Sequence, residues 1–133
     1  MASRKLEDLD IRLQEVWLLS IDVWKLKYPD LTPFLTCTYR SNQEQDELYA
    51  QGRTAPGNIV TNAKAGQSKH NSFPSQAWDM AFKRPDGSVD WSVKHYRNFA
   101  KIVASIAPEL IWGGTWKSVK DYPHWELLNL EDI

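Results

Sequence analysis

The chain has 133 residues, 42% of them hydrophobic and 25% charged, enough for one domain with its own core and too few for a catalytic domain joined to a separate targeting module; disorder is excluded as well. Lys and Arg total 16 against 17 Asp and Glu, a net charge of -1, so there is no general basic field to hold nucleic acid or an anionic membrane. A single cysteine, Cys37, excludes an internal disulfide and a cysteine-rich structural metal site, and its expected place is the core.

The N-terminal segment from Met1 to Asp10 has no apolar run of the signal-peptide kind, and no stretch of about 18 apolar residues follows it. The expectation is a chain made as a soluble cytoplasmic protein, which would need separate release to reach a substrate outside. From Leu6 to Lys27 apolar residues recur every three or four positions, which predicts one long amphipathic helix ended by Tyr28-Pro29. Phe34 to Arg40 alternates, which predicts a half-buried strand with Leu35, Cys37 and Tyr39 on one face and Arg40 on the other. Ser41 and Glu44 have capping-box spacing for a short helix that stops at Gly52. Arg53 to Gln67 is aperiodic, a loop too long to be a mere connector and hence a place for function.

Ala77 to Phe82 alternates again, with Trp78, Met80 and Phe82 toward the core and Asp79 between small alanines on the opposite face. Pro85-Asp86-Gly87 predicts a turn, Trp91 to Ile106 a second amphipathic helix, and Ile111 to Trp116 a short strand breaking into a glycine turn. His95 falls on what reads as the solvated face of that helix. Tyr122 to Leu128 predicts a last strand, with His124 and Glu126 on one face and Trp125 and Leu127 on the other. Most of the 7 tryptophans are expected in the core. Together these elements predict an α+β domain spanning residues 1–133: a small antiparallel sheet, helices on its apolar face and a site on its open face.

That open face collects chemistry. A carboxylate at Asp79 interrupts an apolar strand, which costs several kcal/mol unless it is paired or on a metal. His70, Asp79 and His124 are the residue types that hold a catalytic zinc with an open position for water, and Asp121 is a candidate base for that water. His70 taken alone also reads as a solvated loop histidine, His124 alone is ambiguous, and Asp121 alone reads as a turn residue before proline. Arg40 is placed to polarise a carbonyl or to form a surface ion pair. Glu126 either orients the His124 imidazole or pairs at the surface.

The motifs Thr38-Tyr-Arg40-Ser41, Leu48-Tyr-Ala-Gln-Gly-Arg53-Thr54, Ile59-Val-Thr-Asn-Ala-Lys64, Gly66-Gln-Ser68-Lys-His70-Asn71, Ala77-Trp-Asp79, Trp112-Gly-Gly114 and Asp121-Tyr-Pro-His124-Trp-Glu126 closely resemble those of the L-alanyl-D-glutamate peptidases. These are zinc enzymes of phage endolysins, related to the D-Ala-D-Ala carboxypeptidases and dipeptidases, with the D-Ala-D-Ala peptidase and hedgehog type of fold. The resemblance implies Zn2+ on His70, Asp79 and His124, Asp121 as general base, Arg40 on the scissile carbonyl, and Ser68 and Gln45 holding substrate. It implies a peptidoglycan stem peptide as substrate, cleavage between L-Ala and D-Glu, a monomer without a wall-binding domain, and holin-type release to the periplasm for host lysis. Two alternatives stay open: a D-Ala-D-Ala carboxypeptidase or dipeptidase with the same metal site, and a non-catalytic zinc-containing wall-binding protein. The pattern departs from the family at two points. His70 and Asp79 are nine positions apart where the family has seven with a glycine between, and Thr115 follows Trp112-Gly-Gly114 where the family has an aspartate.

Overall fold

The computed structural model describes residues 2–128; Met1 and 129–133, the ends of the expected domain, lie outside the described residues. The helix expected from Leu6 onward is broken. Leu6–Asp8 forms one 3-10 turn and helix α1 runs Ile11–Lys27, because the Asp10 side chain accepts the Arg12 backbone N–H at 2.9 Å and starts a helix afresh. Leu9, left extended, buries its side chain while its neighbours pair with a distant loop: the Ser75 N–H donates to the Asp8 carbonyl at 2.8 Å and the Asp10 N–H to the Ser75 carbonyl at 2.9 Å.

Strand β1 (Thr32–Cys37) pairs antiparallel with β2 (Ala77–Lys83). The register opposes Leu35 to Met80 but Cys37 to Asp79, so a bulge lies between Leu35 and Cys37. The extra residue reverses the side-chain parity. Leu35 stays on the core side with Met80, while Cys37 turns to the face of Asp79, buried but at the site rather than in the apolar core where it is expected. Helix α2 (Asn42–Ala50) is capped as its sequence predicts, the Glu44 N–H donating to Ser41 Oγ at 3.1 Å. It ends at Ala50, and Gly52, with a φ of 81° in the left-handed region glycine tolerates, turns the chain just beyond it.

Two-residue strand β3 (Val89–Asp90) folds back on β2, and helix α3 (Val93–Ile106) follows, starting two residues later than its apolar spacing suggests. Strand β4 (Ile111–Trp112) runs into a 3-10 turn at Gly113–Thr115, and the last strand, β5, is His124–Glu126, shorter than expected at both ends. The sheet order is β1-β2-β5-β4, with β3 also on β2, and every pairing is antiparallel. Helices α1 and α3 cover one face. Trp17 meets Trp78 edge-on at 5.6 Å and Phe99 meets Trp125 at 5.5 Å, while Trp78, Trp125 and Trp112 stack across three strands. The α+β architecture expected from the sequence is the one observed. His95 is not solvated: it pairs with Asp90 at 3.0 Å and packs against Trp24 and Phe82, tying α3 to the β3 hairpin, far from the open face.

Candidate metal centre

Sheet register builds the centre of the site. Asp79 on β2 lies opposite Cys37 of β1 on one side and His124 of β5 on the other, so three side chains of one face converge. His70 arrives from outside the sheet, on a 3-10 turn at Lys69–Asn71 capped by Ser68, whose Oγ accepts the His70 N–H at 3.2 Å. That turn is fastened to the chain beyond β1: the Arg40 N–H donates to the His70 carbonyl at 2.9 Å, and Asn71 Nδ2 donates to the Arg40 carbonyl at 2.8 Å. The nine-position step from His70 to Asp79 is absorbed by an outward loop. Phe73 projects into solvent and sets its ring edge-on to Tyr39 at 5.3 Å, whereas Ser75 is drawn inward by hydrogen bonds from its hydroxyl to the carbonyls of Thr38 and Ala77, at 2.6 and 2.8 Å.

Hydrogen bonding fixes which nitrogen each imidazole presents. His70 Nδ1 lies 2.8 Å from the Thr38 carbonyl, which only accepts, so Nδ1 carries the proton and Nε2 faces Asp79 Oδ1 at 3.2 Å. His124 is turned the other way, with Nε2 against Glu126 Oε1 at 2.8 Å and Nδ1 against Asp79 Oδ1 at 2.9 Å. Glu126 is itself held by Lys69, whose Nζ lies 2.9 Å from its Oε2. Donor atoms on a tetrahedral zinc about 2.0–2.1 Å away stand about 3.3 Å apart, close to the spacings found. His70 Nε2 is buried and has no aligned hydrogen-bond partner. Such an atom costs about 1–3 kcal/mol, and a cation at this point would satisfy it. Two imidazoles and a carboxylate are a donor set for zinc, and each imidazole nitrogen stands at about that tetrahedral spacing from Asp79 Oδ1.

Burial alone lowers the pKa of His70, but the charge of the Asp79 carboxylate 3.2 Å away outweighs it and raises it to about 10. His124 shows the same opposition of burial and Asp79, helped by Glu126, and rises to about 9. Burial would raise Asp79; the His70 charge and the His124 hydrogen bond instead hold it well below the usual carboxylate range.

Asp121 stands beside this group, with a carboxylate oxygen within 4.8 Å of the donor atoms of Asp79 and His124. Its N–H donates to the Gly113 carbonyl at 3.0 Å, and the approach is close enough that a Cβ at Gly113 would fall 2.2 Å from the Asp121 carbonyl oxygen. Burial, and then the charge of Asp79, raise its pKa. Arg40 reaches the opposite side: NH2 is 3.8 Å from Asp79 Oδ2 and 3.4 Å from Cys37 Sγ, and NH1 donates to Gln45 Oε1 at 3.0 Å. These groups floor a cleft of about 440 Å³ whose walls include Val60, Thr61, Ala63, Ser68 and Trp116.

Arg40, Ser68, His70, Asp79, Asp121, His124 and Glu126 thus share one cleft. Gln45 does not line it. Its side chain is fully buried and both ends of its amide bond to the protein, so it is not free to hold substrate. Thr115 is exposed and its hydroxyl donates to the Trp112 carbonyl at 2.8 Å, away from the ligand group. Sequence reasoning missed Cys37, Lys69 and Trp116 as site residues. Cys37 depends on the bulge, which leaves no mark in the sequence. Lys69 and Trp116 had a signal in their positions, one beside His70 and the other after the Gly113-Gly114 turn, where the ring now sits 5.2 Å from that of His124.

Residues 61–127 match the family described as D-alanyl-D-alanine carboxypeptidase. The chain is 43% identical over 103 residues to the peptidoglycan L-alanyl-D-glutamate endopeptidase CwlK of Bacillus subtilis (strain 168), an alignment that covers 71% of this chain and 59% of CwlK. It therefore spans less than two thirds of that relative. Among solved structures, the L-Ala D-Glu endopeptidase ChiX of Serratia marcescens superposes with a TM-score of 0.63 at 23% identity, over 96% of this chain and 89% of ChiX. The vancomycin-resistance D,D-pentapeptidase VanY of the VanB-type cassette, in complex with Zn(II), gives a TM-score of 0.62 at 16% identity, over 92% and 74%. These two likenesses show a shared fold.

Proposed function

The chain belongs to the D-alanyl-D-alanine carboxypeptidase family of peptidases, and on that footing we propose that it is a zinc-dependent peptidoglycan hydrolase cleaving the L-Ala–D-Glu bond of the stem peptide. The observation that carries this reading is the convergence of His70 Nε2 and His124 Nδ1 on Asp79 Oδ1, with the Asp121 carboxylate beside them. The choice of bond is supported by the 43% identity with CwlK, an endopeptidase for that bond.

His70, Asp79 and His124 would hold the zinc. When bound, zinc supplies a Lewis acid that polarises the amide carbonyl and acidifies water toward a pKa of about 7. Asp121 accepts the proton of the attacking water and returns it to the leaving amine nitrogen, the work of one carboxylate in two directions. Arg40 lines the cleft with its guanidinium already oriented by Gln45 and Cys37, and it donates to the carbonyl oxygen as negative charge develops there. Glu126, steadied by Lys69, fixes the His124 ring so that Nδ1 faces Asp79, free to serve as a ligand when a zinc is bound. The Ser68 hydroxyl accepts from the His70 N–H and keeps its own proton for a substrate carbonyl.

The family description favours a second reading, removal of D-Ala from a D-Ala-D-Ala terminus, which the same ligand set would serve. A wall-binding protein without catalysis has no use for a half-buried carboxylate next to the ligands. The biological setting we infer is host lysis by a monomeric phage endolysin, released from the cytoplasm by a holin-type lesion. No helix among the described residues is long and apolar enough to cross a membrane. The test is the clearing of outer-membrane-permeabilised cells by the purified protein. Clearing that stops with a chelator and returns with added zinc is the expected result; clearing that persists after the metal is stripped would refute the zinc assignment.

A further inference from the structure

The cleft wall formed by residues 58–63 has no regular secondary structure, yet it is fastened along its length to α2 and the turn after it. Gln51 Nε2 donates to the Asn58 carbonyl at 3.1 Å. The Arg53 guanidinium, stacked 3.9 Å over the Tyr49 ring, donates to the carbonyls of Tyr49 and Thr61 at 2.6 and 3.0 Å and to Asn62 Oδ1 at 3.0 Å. Gln45 makes the innermost fastening, its Nε2 donating to the Ala63 carbonyl at 2.8 Å. Of these fasteners only Gln45 also touches the candidate catalytic machinery, because its Oε1 accepts from Arg40 NH1 at 3.0 Å.

We propose that Gln45 is a positioning residue that couples the substrate-facing wall to Arg40, so that docking of the wall and the placement of the guanidinium occur together. This deepens the peptidase reading and rests on it for the role of Arg40. The physical basis is the burial of the Gln45 amide. An amide out of water needs partners at both ends. The oxygen can only accept and the NH2 can only donate, so the arginine and the Ala63 carbonyl fix its orientation between them. If the wall lifts, the NH2 loses its acceptor, and the amide can recover one only by rotating away from Arg40. Val60, Thr61 and Ala63 line the cleft, so a peptide that presses against this wall holds the relay shut. Binding at the wall is thereby turned into placement at the reacting carbonyl, which places part of the binding energy in kcat rather than in KM.

Two variants separate the ends of the relay in the zinc-loaded enzyme. Gln45→Glu keeps an acceptor for Arg40 but offers no donor to Ala63, so binding at the wall no longer sets the guanidinium; kcat should fall about tenfold with KM within about threefold of wild type. Gln45→Met removes both ends, and kcat should fall a further tenfold or more, roughly, at unchanged zinc stoichiometry. Amide hydrogen exchange over residues 61–65 should quicken in both variants, a readout that needs no substrate. Unchanged exchange in both variants overturns the coupling, as does a Gln45→Met enzyme with the wild-type kcat. If the wild-type protein cuts no peptidoglycan, the activity reading fails, and exchange alone decides whether Gln45 holds the wall.

Discussion

Asp121→Ala is expected to lower kcat by about 10²–10⁴-fold while the protein still binds one zinc per chain. The side chain is not among the three converging donors, so its loss leaves the metal ligands in place. Its backbone contacts, the N–H to Gly113 and the carbonyl to His124, do not depend on the carboxylate and should keep the turn before β5 intact. The group acts only when deprotonated, so wild-type rates should climb as pH rises through its pKa and fall as pH drops below it. Burial is the larger cause of its raised value and persists whether or not a metal is bound. That acidic limb should be missing from the residual activity of Asp121→Ala. Metal analysis together with a pH–rate profile checks both statements, and near-normal turnover in the variant would place the base elsewhere.

His70→Ala is expected to abolish zinc binding at micromolar metal and to leave activity below detection. Two ligands remain after the change, too few for a stable three-ligand catalytic site. The fold should survive, because the Thr38 carbonyl that His70 Nδ1 contacts also accepts from Ser75 Oγ, and Asn71 still ties the turn to the Arg40 carbonyl. Circular dichroism like that of the metal-free wild type, with no zinc by elemental analysis, is the predicted pair of results. A His70→Ala protein that retains stoichiometric zinc would remove His70 from the ligand set.

The parts of the site that lie on strands were legible in the sequence. Parity in Ala77–Lys83 puts Asp79 opposite in direction to Trp78 and Met80, and parity in His124–Glu126 does the same for His124 against Trp125; the register of β2 with β5 then makes the two polar residues neighbours. Ser41 announces α2 because a cap is a local hydrogen bond. Asp10 carries the same kind of signal, but the apolar spacing runs on across it, so periodicity alone predicts a helix longer than Ile11–Lys27. What could not be read is non-local. The bulge that turns Cys37 toward Asp79 is a property of a strand pair, and the bond from Gln45 to Ala63 crosses 18 positions of aperiodic chain. The extra residues between His70 and Asp79 form an outward loop at Phe73, and the turn that carries His70 is positioned by Arg40 and Asn71, not by the length of that loop.

The proposed function turns on which bond is cut. Purified peptidoglycan sacculi digested with the zinc-loaded protein and analysed by mass spectrometry should yield stem peptides with a new N-terminal D-Glu, no released D-Ala, and no product in the presence of chelator. Release of D-Ala with the L-Ala–D-Glu bond left intact, or unchanged sacculi, would contradict the account.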